Sequence, residues 1–84
     1  MWRYIEEYNY AETWRDPDDI HYENEKYFDT LGEALAYGRK QAKEHDVRSY
    51  RTVEGNFTWS KEHKSWLYNC RGSFAPTLII AKTI

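Results

Sequence analysis

Thr30–Ala42 reads TLGEALAYGRKQA, and this stretch decides the fold. Thr30 is a good N-cap, and Glu33 three positions on completes a capping box, so a helix starts at Leu31. Leu31, Ala34, Leu35, Gly38 and Ala42 recur at helical spacing. Arg39, Lys40 and Lys43 fall in the later turns, where cations complement the helix dipole. The helix is expected to run from Leu31 to about His45. Its inward stripe of Ala34, Gly38 and Ala42 is small, which lets a helix sit close against something bulky.

The bulky material lies downstream. Val47–Val53 alternates, Gly55-Asn56 is a two-residue hairpin signal, and Phe57–Ser60 resumes extended chain. Lys61-Glu62-His63-Lys64 reads as a polar loop before a strand Ser65–Cys70. Counting outward from the turns sets Thr52 opposite Trp59 and Tyr50 opposite Lys61. It also sets Trp59 opposite Trp66 and Phe57 opposite Tyr68. One sheet face then collects Tyr50, Phe57, Trp59, Trp66 and Tyr68, and the other Val53, Thr58 and Leu67. The match of large rings to a small helix stripe makes the aromatic face core rather than an open base-stacking platform.

Arg71–Pro76 is a loop, and Thr77–Thr83 is a last strand apolar enough to be central. Upstream, Trp2–Tyr10 alternates with rings at even positions and reads as a strand. Within Ala11–Asp29, Asp16-Pro17 offers a short helix start, but a strand ending at Phe28 is preferred. The expected fold is α+β, a single domain over residues 1–84. One helix packs on a mostly antiparallel sheet of about five strands, in the order β-(β)-α-β-β-β-β.

Charge divides along the chain. Residues 1–33 carry a net of −7 and residues 34–84 a net of +5, and the chain's fifteen aromatics are spread through both halves. Ile, Leu and Val together number eleven, so rings must carry much of the core. Trp2, Tyr4, Tyr8, Tyr10, Trp14, Tyr22, Tyr27 and Tyr37 exceed what so small a core can hold. Exposed Tyr and Trp amid charge are usual interface material. The expected working surface is therefore acidic and ring-bearing, built from Glu6, Glu7, Tyr8, Tyr10, Trp14, Asp18, Asp19, Tyr22 and Glu23. Carboxylates interleaved with rings suit a basic groove on another protein. The expected role is that of an inhibitor or modulator of another protein, of the phage- or immunity-accessory kind.

A rival reading is a single-stranded nucleic-acid binder using Arg48, Arg51, Lys61 and Lys64 with Trp59 and Trp66. Nine basic residues spread over the C-terminal fifty and a pI near 5.9 weigh against it. Surplus rings or a free sheet edge would also serve a homodimer. Catalysis has little support, because Cys70 and His63 form no nucleophile–base motif along a hairpin. Cys70 reads as a small buried hydrophobe. His21, His45, His63 and Cys70 lack metal-ligand spacing, and Gly32, Gly38, Gly55 and Gly72 form no phosphate loop. No cofactor is expected. A lone cysteine allows no internal disulfide, and Met1–Glu7 lacks the apolar run of a signal peptide, so the expected setting is the cytosol. Thr77–Ala81 is too short an apolar run to cross a membrane.

Overall fold

A computed structural model describes residues 1–9, 20–48, 57–70 and 75–83. The elements are β1 (Trp2–Asn9), β2 (Ile20–Phe28), α1 (Leu31–Arg48), β3 (Thr58–Ser60), β4 (Ser65–Asn69) and β5 (Thr77–Lys82). The strands form one antiparallel sheet in the order β2-β1-β5-β4-β3. The first and last strands thus pair at its centre, and the helix lies over β1, β5 and β2. This is the α+β arrangement expected from the sequence. No helix among the described residues is long and apolar enough to cross a membrane.

Helix α1 begins as its capping box dictates. Thr30 Oγ1 accepts the Glu33 N–H at 3.2 Å and donates to Glu33 Oε1 at 3.0 Å. The helix runs to Arg48 rather than stopping at His45. Asp46-Val47-Arg48 holds neither glycine nor proline, and valine costs a helix only a few tenths of a kcal/mol against better formers. The start of the expected Val47–Val53 strand is therefore helical. The rest of that strand, the Gly55-Asn56 turn and the pairings of Tyr50 and Thr52 lie outside the described residues.

The small stripe meets the bulk it was expected to meet. Ala34 and Ala42 are fully buried, and a Cβ on Gly38 would come within 2.6 Å of Phe57 Cζ and 3.1 Å of Ile80 Cδ1. Tyr4, Leu78 and Ile80 complete the buried centre, with Trp2, Phe28, Leu35, Tyr37, Trp66 and Tyr68 packed around it. Trp59 stands opposite Trp66, ring centroids 5.4 Å apart, and Phe57 lies 5.8 Å from Tyr68. Trp59 nevertheless remains 47% exposed, because β3 is an edge strand beyond the helix.

The preferred strand over Ala11–Asp29 forms over its second half and ends at Phe28 as expected. It carries a bulge. Two residues, Asn24 and Glu25, stand against Ile5 alone, between the Tyr4↔Lys26 and Glu6↔Glu23 pairs, and Asn24 adopts a left-handed φ of 55°. Asparagine is among the few side chains that tolerate that conformation.

Candidate functional site

Period-two alternation gives β1 two different faces. Trp2, Tyr4, Glu6 and Tyr8 share the phase that faces the helix; Arg3, Ile5 and Glu7 share the other. A carboxylate in phase with three rings is buried, and Glu6 is only 4% exposed. A buried charge must be surrounded by donors, and Glu6 is. Tyr4 donates to its Oε2 at 2.6 Å, Asn24 Nδ2 to the same oxygen at 3.1 Å, and Tyr8 to Oε1 at 3.1 Å. His45 Nε2 from the helix lies 3.4 Å from Oε2, and Tyr37 donates to Asn24 Oδ1 at 3.1 Å. The β2 bulge is what brings Asn24 to this cluster.

Burial pushes the Glu6 carboxyl up. The hydrogen bonds from Tyr4 and Asn24, with the imidazole of His45, outweigh that and hold it below the usual 4.5. Tyr4 moves far above the ordinary phenol range, chiefly through burial and then through its bond to Glu6. Glu6 and Tyr8 are thus engaged in a network that ties β1, β2 and α1 together.

The opposite face of the sheet has no element of the described residues upon it. Pairing arranges it in three rows running across the strands. One row is Tyr27, Arg3, Ala81 and Ser65; the middle one is Ile5, Ile79 and Leu67; the third is Tyr22, Glu7, Thr77 and Asn69. An apolar band therefore runs between two polar rows, with tyrosines at both corners on the β2 side. The five strands span about 20 Å at a spacing of about 4.8 Å. Two shallow hollows open on this face, of about 490 and 420 Å³, and share Arg3, Glu7 and Ile79 in their walls. Glu25 enters the second hollow beside Ile5, because the bulge places it there.

Tyr22 is 57% exposed and Tyr27 51%. The charge of Glu7 raises the Tyr22 phenol, with slight burial and a hydrogen bond to the Glu7 carboxylate adding to it and Arg3 opposing. Ring and carboxylate are therefore held together at one corner. Arg3 Nε is buried and meets no acceptor.

Of the residues expected to bind a partner, Glu7 and Tyr22 come together on the face away from the helix. Glu23 is exposed on the edge strand β2, while Glu6 and Tyr8 belong to the helix-side network. Tyr10, Trp14, Asp18 and Asp19 lie outside the described residues. In the rival set, Lys61 and Lys64 are exposed in the β3–β4 turn, Arg48 ends the helix, and Arg51 lies outside the described residues. His63 and Cys70 flank β4 at opposite ends, separated by five strand residues rising about 3.3 Å each, and so form no dyad. No three His, Cys, Asp or Glu side chains among the described residues gather to hold a metal.

Sequence reasoning did not find Asn24, His45, Arg3 or the Ile5–Ile79–Leu67 band. The alternation of β1 carried the signal for Glu6 and Arg3; nothing local announced the bulge. Neither protein-family models, nor curated proteins, nor solved structures give a match to this chain.

Proposed function

We propose that this chain works by binding another protein through the helix-free face of its sheet, as an inhibitor or modulator of that protein. The observation that carries the reading is the order of the face: half-buried Ile79 and Leu67, beside a buried Ile5, between polar rows, with half-exposed Tyr22 and Tyr27 at its corners. An apolar centre, a polar rim and anchoring tyrosines are the makings of an interface. The reading needs no catalytic step. A reducing, cytosolic setting is part of it, supported by the single cysteine, Cys70.

The test is a comparative pull-down from lysate. A protein retained by the parent chain and by Trp59→Ser, yet lost with the double variant Tyr22→Ser/Tyr27→Ser, is the expected result. Retention by all three, or loss only with Trp59→Ser, contradicts it. Trp59 matters because it gives the second reading its support: a half-exposed ring beside exposed Lys61 and Lys64 suits single-stranded nucleic acid. Mobility shifts of short RNA and DNA at two salt concentrations separate the two. Tight binding that weakens steeply with salt favours the nucleic-acid reading.

A further inference from the structure

We infer that Glu6 and His45 form an acid-released latch, which fastens the last turn of α1 and the β2 bulge to the sheet and lets go of them while the rest of the core stays folded. The two residues lie 39 positions apart and bring three elements to one carboxylate. Glu6 Oε2 accepts from Tyr4 of β1 at 2.6 Å and from Asn24 of β2 at 3.1 Å, and it stands 3.4 Å from His45 Nε2 on α1. Tyr37, about two turns earlier on the helix, donates to Asn24 Oδ1 at 3.1 Å, so the bulge is held by both sheet and helix. His45 keeps 17% of its side chain exposed against 5% for Glu6. The imidazole has a way out to water, and the carboxylate has none.

Protonation of Glu6 removes the one charge these donors share. Tyr4 can turn its hydroxyl and accept from the new acid, but Asn24 Nδ2 and an imidazolium only donate. At the acidity that protonates a carboxyl, an imidazole already carries its proton. That cation would then sit half-buried beside a neutral group, and an unpaired buried charge is costly enough to drive it into water. His45 takes the end of the helix with it, and Asn24 loses the acceptor that holds the bulge. No neighbour replaces Glu6. On the helix side β1 adds only the phenols of Tyr4 and Tyr8, and β5 sets the uncharged Leu78 and Ile80 opposite Glu6 and Tyr4. Across on β2 stand His21, Glu23 and Lys26, all exposed, so any pairing with Glu23 is one made in water. Beside His45 on α1 itself, Lys43 and Glu44 are exposed too. Release stays local because Ala34, Ala42, Phe57, Leu78 and Ile80 pack with one another, and of that cluster only Tyr4 bonds to Glu6. Burial raises the Glu6 carboxyl, but the bonds from Tyr4 and Asn24 and the nearby His45 outweigh it and hold it below 4.5. The latch therefore stays shut at neutral and mildly acid pH and opens as pH falls through the folded value.

The experiment is amide hydrogen exchange on the intact protein from about pH 7 to about pH 3, corrected for the intrinsic pH dependence of exchange. Residues 43–48 of α1 are expected to lose protection at least about tenfold in one step below 4.5, while residues 34–38 and 78–80 keep theirs. The His45 ring and Asn24 side-chain amide resonances should move with that step. Glu6→Gln, neutral at every pH, should show the released state already at pH 7 and no further step. His45→Gln removes the stranded cation, so its helix end should stay protected through the acid range. Loss of protection throughout the chain at once, a parent helix end that stays protected to about pH 3, or an unchanged step in His45→Gln overturns the inference. A Glu6→Gln protein protected like the parent at pH 7 overturns it as well. Where Glu6→Gln does not fold, the comparison of the parent with His45→Gln decides by itself.

Discussion

Two glycines of one helix separate packing from propensity. Alanine at Gly38 gains about 1 kcal/mol of helix propensity but drives a methyl into the Phe57 ring and against Ile80, an overpacking that costs about 1–3 kcal/mol. Gly38→Ala is therefore expected to lower the melting temperature. Gly32, with nothing within 4 Å of an added Cβ, should gain about 0.5 kcal/mol on Gly32→Ala and melt a few degrees higher. Thermal melts of the two variants check the contrast. Glu6 gives a prediction in pH. Its carboxyl sits below 4.5 in the folded protein, so the unfolded chain takes up its proton first as acid is added. The stability Glu6 contributes is complete above about 4.5 and is lost as pH falls through the folded value. Glu6→Gln should cost about 1–3 kcal/mol at neutral pH and flatten that part of the acid limb in denaturant titrations. The burial of Glu6 was legible in its phase with Trp2, Tyr4 and Tyr8. A charge count treats Glu6 and Glu7 alike; the pleat does not.

Helix and strands were legible wherever local chemistry marked them. The capping box fixed the start of α1, the four-residue loop fixed the Trp59–Trp66 register, and the apolar run Leu78-Ile79-Ile80 marked β5 as central. The end of α1 was not legible, since no breaker follows His45. The β2 bulge was hidden for a different reason: Asn24 turns left-handed because its amide meets Glu6 and Tyr37 across the sheet and helix, a cause distant in sequence. Among the described residues Lys64 is the other non-glycine with positive φ, at 50°, and it closes the β3–β4 turn. Lys64→Gly should relieve that conformation and stabilise the hairpin by roughly 0.5–1 kcal/mol in a denaturant titration. An unchanged midpoint would show that the turn holds Lys64 without strain.

At the scale of the molecule, one helix lies on a five-stranded sheet whose other face carries no element of the described residues. The charge split along the chain takes on a shape in that setting. Rings of the C-terminal half, Phe57, Trp66 and Tyr68, pack in or against the core cluster, while the acidic half keeps Tyr22 and Tyr27 exposed on the face away from the helix. Composition pointed to the acidic half as the working one, but could not tell its two sides apart. The pleat and the bulge assign Glu6 and Tyr8 to the helix side, and Glu7, Glu25 and Tyr22 to the groove. The most direct measurement is the affinity of the captured protein for three forms of the chain: parent, Tyr22→Ser/Tyr27→Ser and Trp59→Ser. Loss of about tenfold or more in the tyrosine variant, with the tryptophan variant near parental, is predicted. Parental affinity in the tyrosine variant would contradict the assignment of the open face.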